Sequence, residues 1–264
     1  MIKNIIRNII KNRGYELVPI GAETNDKNVQ TLAEMIVLAR NSALSDIPEK
    51  NNESRINLIN NLIGTNPTEG LYIIDSLAKT ANVDGDVCEF GVAQGATSAL
   101  IGNEIKDSNK NFWLFDSFKG LPKPTEKDIL SDDIFNLGDI NAYEGSMAYD
   151  VFRVKEKLQS IHFPEQRVQI VSGFIEETIK FSKLPTKVSF AYVDFDFYEP
   201  IVIALDFLHK VMPVHGIIIV DDYDFFSTGA KSAADEFVAA HKDEYEMFVP
   251  QKALGHFAVI RKIK

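Results

Sequence analysis

The sequence predicts an α/β protein, a doubly wound, mostly parallel sheet preceded by a helical N-terminal extension. Three observations carry this. From Asp86 onward, short apolar runs of strand length alternate with stretches of helical period, the pattern of successive βαβ units. Two of these runs stop abruptly at acids: Val188 to Val193 (VSFAYV) leads to Asp194 and Asp196, and Gly216 to Val220 (GIIIV) to Asp221 and Asp222. Strands covered on both faces read as nearly continuous hydrophobics, and ligands of open α/β sheets bind beyond the carboxyl ends of such strands. Finally, EYEMFVP and GHFAVIRK at the end of the chain are close enough to pair as a hairpin, adding one antiparallel strand.

Taken in order, residues 1–82 read as helical and without strands. MIKNIIRNIIKNRGY is basic, with Ile2, Ile5, Ile6, Ile9 and Ile10 on one helical face, a pattern for packing on its own fold, on a second subunit or at a membrane interface. It lacks the long apolar region and small-residue cleavage site of a signal peptide. Leu32 to Leu44 and Arg55 to Ile63 have helical spacing, and Thr68 stands as the N-cap of TEGLYIIDSLAKTAN, with Glu69 in its first turn. This extension is expected to serve as packing, dimer surface or lid, with the sheet domain occupying 83–264.

Within that domain the strands are DVCEFGV from Asp86, Asn111 to Phe118, Arg167 to Gly173, Val188 to Val193 and Gly216 to Val220, followed by the terminal pair. Helices fall between them, one running to about Ile105, then FIEETIKFS, and Ala230 to His241. The connection from Lys119 to about Arg153 is long and rich in Asp, Gly and Pro. It leaves the carboxyl end of the second strand, on the rim where the acids lie, and is expected to face substrate.

Charge and composition narrow the partners. A formal net charge of -10 disfavours nucleic acid or anionic membrane as the main partner. No apolar run approaches the ~20 residues of a membrane span, and the expected setting is cytoplasmic. Cys88, the single cysteine, cannot form an internal disulfide and reads as a small buried hydrophobe.

Adjacent strand tips would bring Asp194, Asp196, Asp221 and Asp222 together, and like charges so placed require a shared cation or proton. The arrangement reads as a metal site, and hard oxygen ligands suit Mg²⁺. Glu89-Phe90-Gly91-Val92-Ala93-Gln94-Gly95 is an acid-x-Gly-x3-Gly turn between strand and helix, where glycine backbone and free helix N–H groups can approach a ligand. It does not match G-x-G-x-x-G, which disfavours a dinucleotide, and it lacks the G-K-[ST] of a phosphate loop. Asp116, at the end of the second strand, stands where an acid accepts hydrogen bonds from ribose hydroxyls. Ser172, Gly173 and Phe174 end the third strand and are candidates to edge or stack on a purine. His162, His209, His215 and His241 read as surface residues, His256 as one able to reach the rim, and Tyr198 and Tyr223 as pocket walls.

EFGVAQGAT, the FDSFKGLP run at Phe115 to Pro122, GFIEET at Gly173 to Thr178, YVDFDFYE at Tyr192 to Glu199 and VDDY at Val220 to Tyr223 together resemble the macrocin O-methyltransferase family. The resemblance covers roughly residues 84–264. It implies a seven-stranded, Rossmann-like class I methyltransferase fold and an O-methyltransferase that uses S-adenosylmethionine and Mg²⁺ on a hydroxyl of a sugar or glycosylated small molecule. A homodimer is expected with it. Residue by residue, it implies that Glu89, Gly91 and Gly95 line the methionine part of the cofactor and that Asp116 holds the ribose. Asp194, Asp221 and Asp222 would bind the metal, with Asp194 or Asp196 taking the proton. The chain departs from the family pattern at Phe195, where glycine is common between the two acids, and at Ala93-Gln94, where the antibiotic enzymes tend to have Trp and Arg. Alternatives are a phenolic or catechol acceptor, a catalytically silent nucleoside-binding protein of the same fold, and an NAD-dependent oxidoreductase, the last disfavoured by the glycine spacing.

Overall fold

The structure, a computed structural model, describes residues 53–264. They belong to one compact unit spanning Ser45–Lys264. The expectations for MIKNIIRNIIKNRGY and for Leu32 to Leu44 lie outside the described residues.

Seven strands form one sheet: β1 (Asp86–Phe90), β2 (Phe112–Asp116), β3 (Val168–Ser172), β4 (Val188–Val193), β5 (Ile217–Val220), β6 (Tyr245–Phe248) and β7 (Ala258–Lys262), in the order β3-β2-β1-β4-β5-β7-β6. The first five are parallel, and β7 runs antiparallel between β5 and β6. The predicted hairpin and its single reversed strand are therefore present. Order reverses between β1 and β4, the point at which an open parallel sheet opens a crevice for ligands.

Helices α1 (Glu53–Asn60), α2 (Pro67–Lys79), α3 (Ala96–Ile105), α4 (Val151–Ser160), α5 (Ile175–Phe181), α6 (Tyr198–Val211) and α7 (Thr228–Ala240) complete the described fold. Alternate strand residues feed two separate cores, because side chains in a strand point to opposite faces in turn. Cys88, Phe90, Ala191, Val193, Ile218 and Val220 pack with α5, α6 and α7 on one face. Val87, Phe112, Leu114, Phe190, Tyr192 and Ile219 pack with α2, α3 and α4 on the other. Both faces being covered, the central strands β4 (VSFAYV) and β5 (IIIV) are nearly continuous in apolar residues. Cys88 is fully buried, as its position in an apolar run implied.

Two sequence expectations need correction. The boundary expected at 82/83 does not separate compact units: Ile73 and Leu77 of α2 are buried in the same core as Val87 and Phe190. The N-cap of α2 is Asn66 rather than Thr68. Asn66 Oδ1 accepts a hydrogen bond from Thr68 N at 2.9 Å, and Pro67 occupies the first turn. Proline is preorganised for that position and has no N–H to satisfy, so the cap falls one residue ahead of it.

The long connection after β2 is fastened to the sheet domain by Asp128. Its Oδ1 accepts from Tyr198 N at the start of α6 (2.8 Å), while Oδ2 accepts from Thr125 N and Oγ1 (2.7 and 2.8 Å). Ile129 N donates to Thr228 Oγ1 at 3.0 Å, and Leu130 bridges Ser227. Among the described residues no helix is long and apolar enough to cross a membrane.

Candidate active site

The site begins with strand register. Val193 of β4 lies opposite Val220 of β5, so Asp194 and Asp221 leave neighbouring tips together. Each continues the ladder for one more bond, Asp194 N to Phe90 O at 2.7 Å and Asp221 N to Val193 O at 2.9 Å. The backbone then turns sharply: Asp196 has φ 60° and Asp222 φ 53°. Left-handed backbone costs an ordinary L-residue roughly 1–2 kcal/mol, and aspartate is among the residues that tolerate it. Strain of this kind is retained where the surrounding structure enforces it. Here it accompanies an inward gathering of acids, with carboxylate oxygens of Asp194, Asp196 and Asp222 all within 4.8 Å of one another.

Asp221 sits behind this trio. Its carboxylate accepts from the Tyr192 hydroxyl and, through Oδ1, from Asp222 N at 2.8 Å, and it shares a hydrogen bond with Glu69 of α2. Sequence reasoning named Asp194, Asp221 and Asp222 as metal ligands. The structure gathers Asp194, Asp222 and Asp196, with Asp221 turned toward Tyr192 and Glu69 while still bordering the cavity. Glu69 was missed. In sequence it was an acid in a first helical turn, whereas in the fold it is buried, with Oε1 lacking a protein partner.

Among the described residues none of these five acids forms a salt bridge, and Lys252 and the His256 ring are both engaged with Asp224, at 2.8 and 3.0 Å. His256 is paired to Asp224 and lies outside the cavity lining. Burial, and after it the neighbouring carboxylates, raises proton affinity across the cluster. Enclosure raises Asp194 well above the carboxylate range, with Asp221, Asp196 and Asp222 adding to it. Asp222 rises for the same reasons, burial first and then Asp221 and Asp196. Asp196 is pushed up to about 7 by burial, against a hydrogen bond from Asp222 that lowers it. Burial also raises Asp221, opposed by the hydrogen bonds from Tyr192 and Asp222 N. Glu69 is raised by burial and then by Asp221. An all-oxygen set that resists ionisation in the absence of a counter-charge fits a hard divalent cation such as Mg²⁺.

Opposite the acids lies the glycine turn. Gly91 has φ +83°, and a Cβ there would stand 1.7 Å from the Asp194 carbonyl oxygen, so glycine is required for β1 and β4 to meet. Gly95 begins α3 with φ +78° and faces Val154, where a Cβ would fall 3.1 Å from Val154 Cα. Asp116 is held over the turn: Oδ2 accepts from Val92 N and Ala93 N at 2.7 and 3.0 Å, and Oδ1 from Phe118 N at 2.6 Å. A carboxylate offers about four acceptor positions, which leaves room for a ligand hydroxyl. Glu89 is buried, with Oε2 accepting from Ser98 Oγ at 2.5 Å and Oε1 unpartnered; burial raises its pKa well above the usual range.

Between these walls is a cavity of about 400 Å³ bordered by Gly91, Asp116, Gly173, Phe174 and the acids. That lies within the usual size of small-molecule pockets, about 300–1,000 Å³. The long connection supplies Leu121, Phe135, Met147 and Tyr149 to its wall, and Phe225 joins them. Of the residues named from sequence for a cofactor, Gly91, Asp116, Gly173 and Phe174 border the cavity. Glu89, Gly95 and Ser172 lie outside its lining, the first buried beneath the turn, the second against α4, the third exposed at the end of β3.

A seven-stranded sheet of this order, with its crevice at the β1/β4 reversal, defines a class I methyltransferase fold. Solved structures agree. The O-methyltransferase NovP superposes with a TM-score of 0.63 at 20% identity, covering 75% of this chain and 81% of its own. CalS11, a calicheamicin methyltransferase, gives 0.59 at 19% identity, covering 94% of each. At these identities the likeness is one of fold. Residues 24–251 match the family Macrocin-O-methyltransferase (TylF), and the chain belongs to it. The demethyldecarbamoylnovobiocin O-methyltransferase of Streptomyces niveus is 27% identical over 163 residues, 60% of each chain. The matches span between 60% and 64% of the length of the curated relatives.

Proposed function

We propose that this protein transfers a methyl group from S-adenosylmethionine to a hydroxyl of a sugar or glycosylated small molecule, assisted by Mg²⁺. The observation that carries this reading is the convergence of Asp194, Asp196 and Asp222 across one cavity from the glycine turn and Asp116. Its other support is family membership and the names of the relatives, which include a 4'-O-methyltransferase acting on a rhamnosyl-tetracenomycin in Streptomyces olivaceus.

Bound S-adenosylmethionine supplies an electrophilic methyl on a sulfonium. Bound Mg²⁺ supplies charge that makes a hydroxyl more acidic and fixes its position. The chain's own residues do the remainder. Asp194 and Asp222 would hold the ion, with Asp221 as a further oxygen donor kept in orientation by Tyr192 and Glu69. Asp116 accepts the ribose hydroxyls, and Phe174 offers a ring face to the purine. Asp196 takes the proton from the acceptor hydroxyl as the carbon–oxygen bond forms and the carbon–sulfur bond breaks. Phe135, Tyr149, Phe174 and Phe225 give the cavity apolar walls beside the acids. They also favour a second reading, an aromatic acceptor with vicinal hydroxyls.

The test is methyl transfer from radiolabelled S-adenosylmethionine to a panel of nucleotide sugars, glycosides and catechols, with Mg²⁺ or chelator. Asp194→Ala and Asp222→Ala should abolish turnover while leaving affinity for S-adenosylhomocysteine within a few-fold. Near-normal turnover in either variant would refute the assignment.

A further inference from the structure

At the opposite edge of the sheet a different donor set gathers. His209 lies in the last turn of α6, His241 caps the C-terminus of α7, and Glu244 sits on the turn into β6. One donor atom from each lies within 4.8 Å of the other two. The imidazole rings are stacked, with centroids 4.0 Å apart and planes at 28°. The sequence had suggested isolated surface histidines; the fold makes them half-buried neighbours.

We propose that His209, His241 and Glu244 form a second cation site, for a zinc-like divalent ion, independent of the carboxylate cluster. Two imidazoles and a carboxylate are the ligand set of many zinc sites that keep an open position. Tetrahedral zinc with bonds near 2.0–2.1 Å sets its ligand atoms roughly 3.4 Å apart, so each pair must close by little more than about an ångström, within reach of side-chain rotation.

The supports are already rigid. Glu244 N and Tyr245 N both donate to His241 O, at 2.9 and 3.0 Å, which fixes two of the ligands on one tight turn. Ile263 N donates to Glu244 O at 2.7 Å and ties that turn to the end of β7. His209 Nδ1 faces the Tyr245 hydroxyl at 3.3 Å, the type of contact that orients a ligating imidazole through its other nitrogen. Charge favours a cation as well, because α6 and α7 both end here and helix C-termini carry partial negative charge. Lys262, the neighbouring cation, is engaged with His209 O at 3.2 Å and with the Tyr245 ring. Burial lowers the His209 pKa, with His241 adding to the effect.

The two sites are separate. α6 begins at Tyr198 beside the acids, and eleven residues at 1.5 Å each carry the chain about 16 Å to His209. Their chemistries also differ, imidazole nitrogen selecting borderline transition ions and all-oxygen sets selecting Mg²⁺.

The experiment is Co²⁺ titration of metal-stripped, full-length protein in saturating Mg²⁺, read by visible d–d absorption, with Zn²⁺ competition and melting curves in parallel. The expected result is one equivalent of Co²⁺ with the intense bands of four-coordination, displaced by Zn²⁺, and a rise in melting temperature with Zn²⁺. His209→Ala and His241→Ala should remove the bands, and Glu244→Gln, whose carboxylate lies 3.7 Å from His241 Nδ1, should weaken binding tenfold or more. Asp194→Ala should leave the signal intact. Absence of the bands, their persistence in the histidine variants, or their loss in Asp194→Ala would overturn the proposal.

Discussion

Replacing Asp196 by asparagine separates the electrostatics of the carboxylate cluster from its chemistry. In the folded, metal-free protein Asp196 is raised from 3.8 to about 7, chiefly by burial. The sign follows from linkage: with a folded pKa above the unfolded one, its contribution to stability is complete below pH ~4 and is lost as pH rises toward ~7. About three units at ~1.36 kcal/mol each give a ceiling of ~4 kcal/mol lost by neutral pH. For a unit of this size that corresponds to a melting shift of about 8–16 °C, at ~2–4 °C per kcal/mol. Asp196→Asn removes this penalty. In chelator its melting temperature should exceed that of the wild type by an amount that grows from pH 4 to pH 7.5. Mg²⁺ at 100 times its Kd would return about 2.7 kcal/mol to the wild type and less to the variant, which lacks one negative neighbour. Scanning calorimetry at four pH values with and without Mg²⁺ is the assay. A pH-independent difference, or equal stabilisation of both proteins by Mg²⁺, would refute the reasoning.

Asp116→Ala should weaken S-adenosylhomocysteine binding at least tenfold by calorimetry and should also loosen the glycine turn, because three backbone N–H groups lose their acceptor; unchanged affinity would move the ribose elsewhere. Gly91→Ala should destabilise the fold by about 2–4 kcal/mol, combining left-handed strain with overpacking against a backbone oxygen, and should depress turnover by displacing Asp194. Wild-type urea unfolding and turnover in that variant would show that β1 and β4 need not meet as closely as they do.

The fold was legible because both faces of the sheet are covered, so the parallel strands, β4 and β5 above all, are largely apolar runs of the right length with their ends marked by Gly or Asp. The strand tips were legible for the same reason: Asp194 and Asp221 interrupt hydrophobics where nothing structural asks for an acid. What the sequence does not carry is direction. Nothing in DFD or VDDY says that left-handed backbone at Asp196 and Asp222 turns these two carboxylates toward Asp194, while Asp221 turns back toward Tyr192. Glu69 was invisible because its role depends on α2 packing beside the β4 and β5 tips, a contact more than a hundred residues away in sequence. The boundary placed at 82/83 failed because a change of period marks the start of a sheet, not the edge of a core. His209 and His241 could not be paired from sequence, since each is an ordinary helix-end residue until α6 and α7 are laid side by side.

The account stands on one claim, that the acid-tipped ends of β4 and β5 hold a divalent cation next to the methyl donor. The most direct measurement is the anomalous signal of Mn²⁺ in crystals grown with S-adenosylhomocysteine. The predicted result is a peak coordinated by Asp194 and Asp222, with the cofactor sulfur across the same cavity. A cavity holding the cofactor product with no peak at those carboxylates would contradict it.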